Sequence, residues 1–411
     1  MASDFSLADY IVRRFRLVAG PAAGSVLEDG NPYFAPLDRL QADARDHGEA
    51  FTSFANYDYL GICDHPTIKQ AAHLALDRVG VGALGSRLIG GERLIHADFE
   101  NALAEFVGSE AALTLVSGYL TNLTTISSLL SKRDLIVYDE LGHNSIMAGV
   151  ASCKAEAVEF RHNDMDYLRH VLKQQRANHR NCLIAVESLY SMDGDIANLP
   201  ELLRLKDEFK SWLMIDEAHS IGVLGQGGRG ICEHFGVNPK RVDLIIGTLS
   251  KTFVSCGGFI CAQKAVLESL KYLLPGFVYS VGLPPVIAAA AGAALELIRS
   301  EPQRVGKLQA NAQYFLTRAR ESGLSTGPAE GYAIVPVMFP DMQSTMMASH
   351  FLMARGIYAP PIVQVGVPKG LPRIRFFISA RHTFEEIDRT VEALKAFSSG
   401  LTKTAPAPVE A

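Results

Sequence analysis

Four short runs constrain this chain more than anything else in it: LIVYDE from Leu135, CLIAVES at 182 to 188, WLMIDEA at 212 to 218 and LIIGTLS at 244 to 250. Each is apolar almost throughout instead of alternating, and stretches with helical periodicity separate them. A strand that is apolar on both faces needs cover on both faces. The pattern therefore predicts an α/β fold, a mostly parallel sheet between helical layers. Ligands of such a sheet gather at the carboxyl ends of its strands.

Around this centre the sequence divides. Residues 1–55 read as an N-terminal arm: a helix, a turn at DGNPYFAP, a second helix and the short strand FTSFAN. A large domain is expected over 56–287 and a smaller α+β domain over 288–399, with strands at AIVPVMF and IRFFIS and a helix from Ser344 to Arg355. The Pro/Ala-rich end, 400–411, reads as a disordered tail. Tyr272 to Leu295 carries no charge and is long enough to cross a bilayer, but Pro275, Gly276, Pro284 and Pro285 interrupt it. A packed, Ala-rich helix from Val286 to Ile298 is the expectation.

With 39 Lys+Arg against 44 Asp+Glu and no sustained run of one sign, the chain has nothing to attract nucleic acid. Its six cysteines lack the spacing of a zinc site or a disulfide scaffold, and its start lacks a secretory signal, which together suit a reducing cytoplasm. The basic pattern YIVRRFRLVAG reads either as a helix packed on a dimer or as an amphipathic segment resting on a membrane surface.

The polar residues at the strand ends carry the chemistry. GTLSKTFVSCGGF puts Lys251 just past a buried strand, amid apolar residues that lower an amine's pKa and suit it to carbonyl chemistry. Taken alone, it reads first as a surface lysine at a strand end, and the other motifs reverse that ordering. WLMIDEAHSIGVLGQGGRG ends another strand on Asp216, with His219 following and Glu217 pointing the other way. A lysine for a Schiff base and a carboxylate for a protonated pyridine nitrogen are what pyridoxal 5'-phosphate (PLP) requires. His219 then either hydrogen-bonds the ring's 3-oxygen or fixes the carboxylate; a metal site is the alternative, without a clear partner set. TLVSGYLTNLTT joins a strand to a helix through Ser117, Gly118 and Tyr119, a start that suits an anion. His143, after LIVYDE, supplies a flat ring for stacking or is an ordinary polar residue.

Together with ANYDYLG at 55 to 61, GALGSRLIGG at 82 to 91, His96, SMDGDIANLP at 191 to 200, YSVGLPP at 279 to 285 and PRIRFFISARHT at 372 to 383, these motifs resemble the α-oxoamine synthases, PLP enzymes of the aspartate-aminotransferase fold (fold type I). The resemblance spans about Phe51 to Phe397. It implies that Lys251 carries PLP as a Schiff base, Asp216 pairs with the pyridine nitrogen, His219 and Ser191 contact the 3-oxygen, and His143 stacks on the ring. It further implies that Gly118, Tyr119 and Thr248 hold the phosphate, with Ser280 reaching in from a neighbouring subunit of an obligate homodimer. Arg375 would bind the amino-acid carboxylate, with Asn56 beside it.

The implied reaction joins a small amino acid to an acyl thioester, on coenzyme A or an acyl carrier protein, with loss of the thiol and of carbon dioxide. Within the family, the Thr-Leu-Ser-Lys wording and FRHND at 160 to 164 lean toward serine palmitoyltransferase; 8-amino-7-oxononanoate synthase and 2-amino-3-ketobutyrate ligase are the alternatives. Leu88, Glu92 and Asn144 depart from common family residues near the expected thioester entrance. Outside the class stand a simple PLP aminotransferase or aldolase and a non-catalytic subunit of the same fold.

Overall fold

The computed structural model describes residues 6–19, 45–46, 49–362 and 372–404. Seven strands form the central sheet: β1 (Ala111–Leu115), β2 (Leu135–Asp139), β3 (Glu156–Phe160), β4 (Cys182–Glu187), β5 (Trp212–Asp216), β6 (Leu244–Thr248) and β7 (Gly258–Ala262). Their order is β1-β7-β6-β5-β4-β2-β3. All neighbours run parallel except β7, which is antiparallel to both β1 and β6.

The apolar runs behave as their composition demands. Along β4, Cys182, Ile184 and Val186 join one apolar cluster while Leu183 and Ala185 join another. Leu213 and Ile215 of β5 divide from Met214 in the same way. Side chains alternate across a strand, so two clusters sharing a strand lie on opposite faces of the sheet.

Helices cover both faces, each started by local chemistry. After α1 (Leu7–Ala19), α2 (Pro66–Val79) begins with Pro at its first position, capped by His65, whose ring accepts from Thr67 N at 3.3 Å. Then come α3 (Leu94–Val107), α4 (Gly118–Leu129), capped by Ser117, and α5 (Asn144–Ser152), capped by His143. The uncharged stretch resolves into a short turn of helix, Pro275–Val278, and α6 (Pro285–Ser300), which packs on α2 and α3 with Ala288, Ala291 and Ala294 buried. No helix of the described residues is long and apolar enough to cross a membrane.

Beyond α6, α7 (Gln303–Glu321), α8 (Met342–Met353) and α9 (Phe384–Thr404) accompany a three-stranded antiparallel sheet. Its strands, in the order β8-β10-β9, are β8 (Ile334–Met338), β9 (Pro361–Ile362) and β10 (Arg373–Phe377). Thr52–Ser53 pairs in parallel with Ile357–Tyr358, tying the expected FTSFAN strand to this region. A two-residue pairing of Arg45–Asp46 with Glu49–Ala50 was not foreseen. The DGNPYFAP turn, the second helix of the arm and most of the C-terminal tail lie outside the described residues.

Candidate active site

A cavity of about 260 Å³ opens at the carboxyl ends of the parallel strands. Lys251, Asp216, His219 and His143 line it, as do Gly118, Tyr119 and Thr248. Strand β5 delivers Asp216, the turn after β6 delivers Lys251, and the caps of α4 and α5 deliver Gly118 and His143.

Lys251 Nζ lies 2.8 Å from His219 Nε2, and His219 Nδ1 lies 2.7 Å from the Tyr59 hydroxyl. Lys251 as a whole is half-buried. Burial of its amine, offset in part by Asp216 and Glu187, pushes the ammonium down to about 8. Burial, with the charges of Lys251 and Arg375, holds His219 well below the ordinary imidazole range, and burial pushes the Tyr59 hydroxyl up. A neutral His219 ring thus bridges the Lys251 amine at Nε2 and the Tyr59 hydroxyl at Nδ1.

Asp216 Oδ2 accepts from Asn122 Nδ2 at 2.6 Å and Oδ1 from Ala218 N at 2.9 Å. Of the two roles open to His219, fixing this carboxylate is therefore corrected: Asn122 does it, one helical turn past Gly118 on α4. Glu217 turns away as expected, its carboxylate accepting from Ile231 N at 3.1 Å.

At the far end, the Cβ of any larger residue at 118 would lie 2.7 Å from Thr248 Oγ1, so only glycine leaves the α4 start open. Thr248 Oγ1 donates to Gly257 O at 3.0 Å, which antiparallel β7 brings alongside. His143 is held edge-on to Tyr119 at 6.3 Å, its Nδ1 accepting from Ser145 N at 3.2 Å. Burial, with Lys251 and Arg375 acting against Asp216, lowers its pKa. Asn144, one of the departures, fixes Tyr119 by accepting from its hydroxyl at 2.9 Å.

Four predicted residues lie outside the cavity lining. Arg375 on β10 donates from Nη1 to Ser191 O at 2.7 Å, and its Nε is buried without a partner. Asn56 Oδ1 accepts from Asp58 N at 3.0 Å while its Nδ2 is also buried and unpartnered. Ser191 touches the site through Glu187 Oε2, which accepts from its N at 3.0 Å. Ser280 sits half-buried ahead of α6, away from the cavity of its own chain.

Sequence reasoning missed Tyr59, Asn122 and Glu187. ANYDYLG contains Tyr59 but carries no local sign of its partner, whereas the i, i+4 spacing from Gly118 could have found Asn122. Nothing in the apolar run CLIAVES marks Glu187 as different from any strand-end polar residue.

Of the departures, Leu88 lies within a tight segment, Arg87–Gly91, and Glu92 ends it. Arg87 is buried between Glu92, whose Oε2 accepts from Nε at 2.5 Å, and Glu100. Leu88 is exposed.

The residues present fit PLP. Asn122 Oδ1, Glu187 Oε1, Asn56 Nδ2 and Arg375 Nε are buried polar atoms without partners, a concentration that marks a ligand's place. Fold and site thus define a PLP-dependent enzyme of fold type I. Residues 50–394 match the aminotransferase class I and II family. An 8-amino-7-oxononanoate synthase from a Methylobacterium species is 42% identical over 86% of this chain and 88% of its own. A serine palmitoyltransferase from Sphingobacterium spiritivorum is 36% identical over 88% of this chain and 90% of its own. The solved Sphingomonas wittichii serine palmitoyltransferase superposes with a TM-score of 0.89 at 29% identity, over 98% of this chain and 100% of that one. A high-resolution serine palmitoyltransferase structure holding PLP as its internal aldimine gives 0.90 at 27%, over 97% and 99%. The chain belongs to the α-oxoamine synthases, PLP-dependent acyltransferases that join an amino acid to an acyl thioester.

Proposed function

We propose that this enzyme condenses a small amino acid, serine foremost, with the thioester of a long apolar acyl chain, releasing the thiol and carbon dioxide and leaving an α-amino ketone. The observation that carries the reading is the convergence of Lys251, Asp216 and His219 on one cavity with the unpartnered donors of Arg375 and Asn56 nearby. Bound there, PLP supplies an electron sink for a carbanion next to the amino group.

The chain's own residues do the rest. Lys251 has the lowered basicity to move the α-proton near neutral pH. Asp216, already fixed by Asn122 and Ala218 N, holds its charge toward the pyridine nitrogen. Arg375 Nε and Asn56 Nδ2 take the amino-acid carboxylate, and Gly118, Tyr119 and Thr248 take the phosphate. His219 and Ser191 serve the 3-oxygen, and His143 covers the ring and polarises the incoming carbonyl.

An apolar acyl chain is supported by the 82–94 segment, where Leu84, Leu88, Ile89 and Leu94 are exposed and Arg87 is already committed to two carboxylates. The same exposed face, with Tyr279 and Val281, supports a homodimer in which Ser280 serves the neighbouring site. Light scattering should then give twice the 44.6 kDa of one chain; a monomeric mass would remove Ser280 from the site. Six cysteines, all unpaired in the structure, fit a reducing compartment.

The 42% identity to an 8-amino-7-oxononanoate synthase favours a second reading, since that product's name requires an acyl donor ending in a carboxylate, joined to alanine. The deciding experiment is free-thiol release with serine, alanine or glycine against acyl thioesters of graded length, on coenzyme A and on acyl carrier protein. Release with serine and long saturated chains supports the proposal. Release confined to alanine and an ω-carboxylated donor replaces it with the second reading.

A further inference from the structure

Two carboxyl groups stand side by side in the cavity, and they are not equally served. Glu187 and Asp216 end neighbouring parallel strands in register, so their side chains leave the sheet on the same face. Both line the cavity. Asp216 accepts two N–H donors, one on each oxygen. Glu187 accepts one, from Ser191 N, and its Oε1 is buried with no partner at all.

Among the described residues Glu187 forms no ion pair. The charged groups facing it are Asp216 on β5, Asp139 on β2, Lys251 past β6 and Arg375 on β10. Burial, reinforced by the charge of Asp216 and opposed by the hydrogen bond from Ser191 N, pushes its carboxyl up to about 8. Two adjacent carboxylates in a water-poor cavity are costly, and the one with fewer donors keeps the proton.

We propose that Glu187 is held as the neutral acid and that its Oε1 hydroxyl is a positioning donor to the 3-oxygen of bound PLP. The choice of acceptor follows by elimination. The pyridine nitrogen is a donor once it pairs with Asp216, and the phosphate belongs at the Gly118 and Thr248 end. The aldehyde oxygen would be lost as water on joining the lysine amine, so the 3-oxygen, which His219 and Ser191 would also serve, is the cofactor acceptor left for Glu187. Glu187 thereby adds one O–H donor to the site.

The inference rests on PLP binding and not on the acyl donor, so its test uses the holoenzyme without any thioester. A wrong acyl donor would change thiol release and leave these spectra untouched. Infrared spectra of holoenzyme at pH 7 should show the carbonyl stretch of a protonated carboxylic acid that Glu187→Gln removes. Glu187→Gln keeps an N–H donor at the same place and should retain the visible spectrum of the lysine-bound cofactor and its pH dependence, whereas Glu187→Leu should shift both. Wild-type and E187Q infrared spectra without that difference would overturn the proposal, as would an E187L visible spectrum identical to wild type.

Discussion

At the residue scale, the site is a set of groups whose neighbours decide their protonation. Lys251 sits at a strand end where burial lowers its basicity, and its amine meets His219 Nε2. Lys251→Ala should remove the visible absorbance of the lysine-bound cofactor and cut kcat by roughly 10³ or more, the scale of losing a general base; retained turnover would end the mechanism. Gly118→Ala drives a Cβ to 2.7 Å from Thr248 Oγ1, so cofactor affinity should fall about tenfold, ~1.4 kcal/mol, in a titration of apoprotein with PLP. Lys251, Asp216, His219, His143, Gly118 and Thr248 were legible because strand-end polar residues in an apolar context are visible in one dimension. Tyr59 and Glu187 were not: one comes from more than a hundred and fifty positions upstream of its partner, as the |i−j| of 160 with His219 shows, and the other acts through a deficit of donors that only coordinates reveal.

At the scale of elements, the FRHND turn after β3 and the SMDGD turn after β4 are stapled together. His162 Nδ1 lies 2.9 Å from Asp139 Oδ1 and Nε2 lies 3.1 Å from Asp195 Oδ2. Asn163, at φ 51°, donates to Asp195 Oδ2 and to Ile196 O. Gly194, at φ 72°, makes room where a Cβ would meet Ile334 O at 2.3 Å, so the turn can lie against β8. Burial alone would lower the His162 pKa, but its bonds to Asp139 and Asp195 raise it from 6.5 to about 10. The folded state thus binds the proton more tightly than the unfolded one. This contribution is full below pH 6.5 and is lost as pH rises through about 10. Thermal melts of wild type and His162→Gln should differ most near pH 6 and converge above pH 10; a gap that widens with pH would refute the charged staple. FRHND was read as a mark of kinship. Its physical work, holding the turn that carries Ser191, needed the three-dimensional neighbours of His162.

At the scale of the whole molecule, the small sheet is fastened to the large one through the turn after β4. Arg373 on β10, fully buried, donates to Asp193 Oδ1 at 2.6 Å and to Met192 O, while Arg375, two residues on, donates to Ser191 O. Asp193→Asn removes an ionised acceptor from a fully buried guanidinium and should cost about 1–3 kcal/mol in denaturant unfolding, with the amino-acid KM rising as β10 loosens. An unchanged midpoint would mean that this pair does not fasten the sheets. The sequence by itself determined the sheet, its covering helices and the lysine–aspartate pair, because strand burial and strand-end chemistry are written in consecutive residues. It also carried the family, since motifs from residue 55 to 383 keep their order along the chain. Only the tertiary structure decided what those motifs do to one another. Asn122 rather than His219 fixes Asp216, Glu187 is short of donors beside it, and Arg375 is tied to the turn that carries Ser191. Each of these depends on distances between segments remote in sequence, and such distances are set by how the layers pack, which no local pattern encodes.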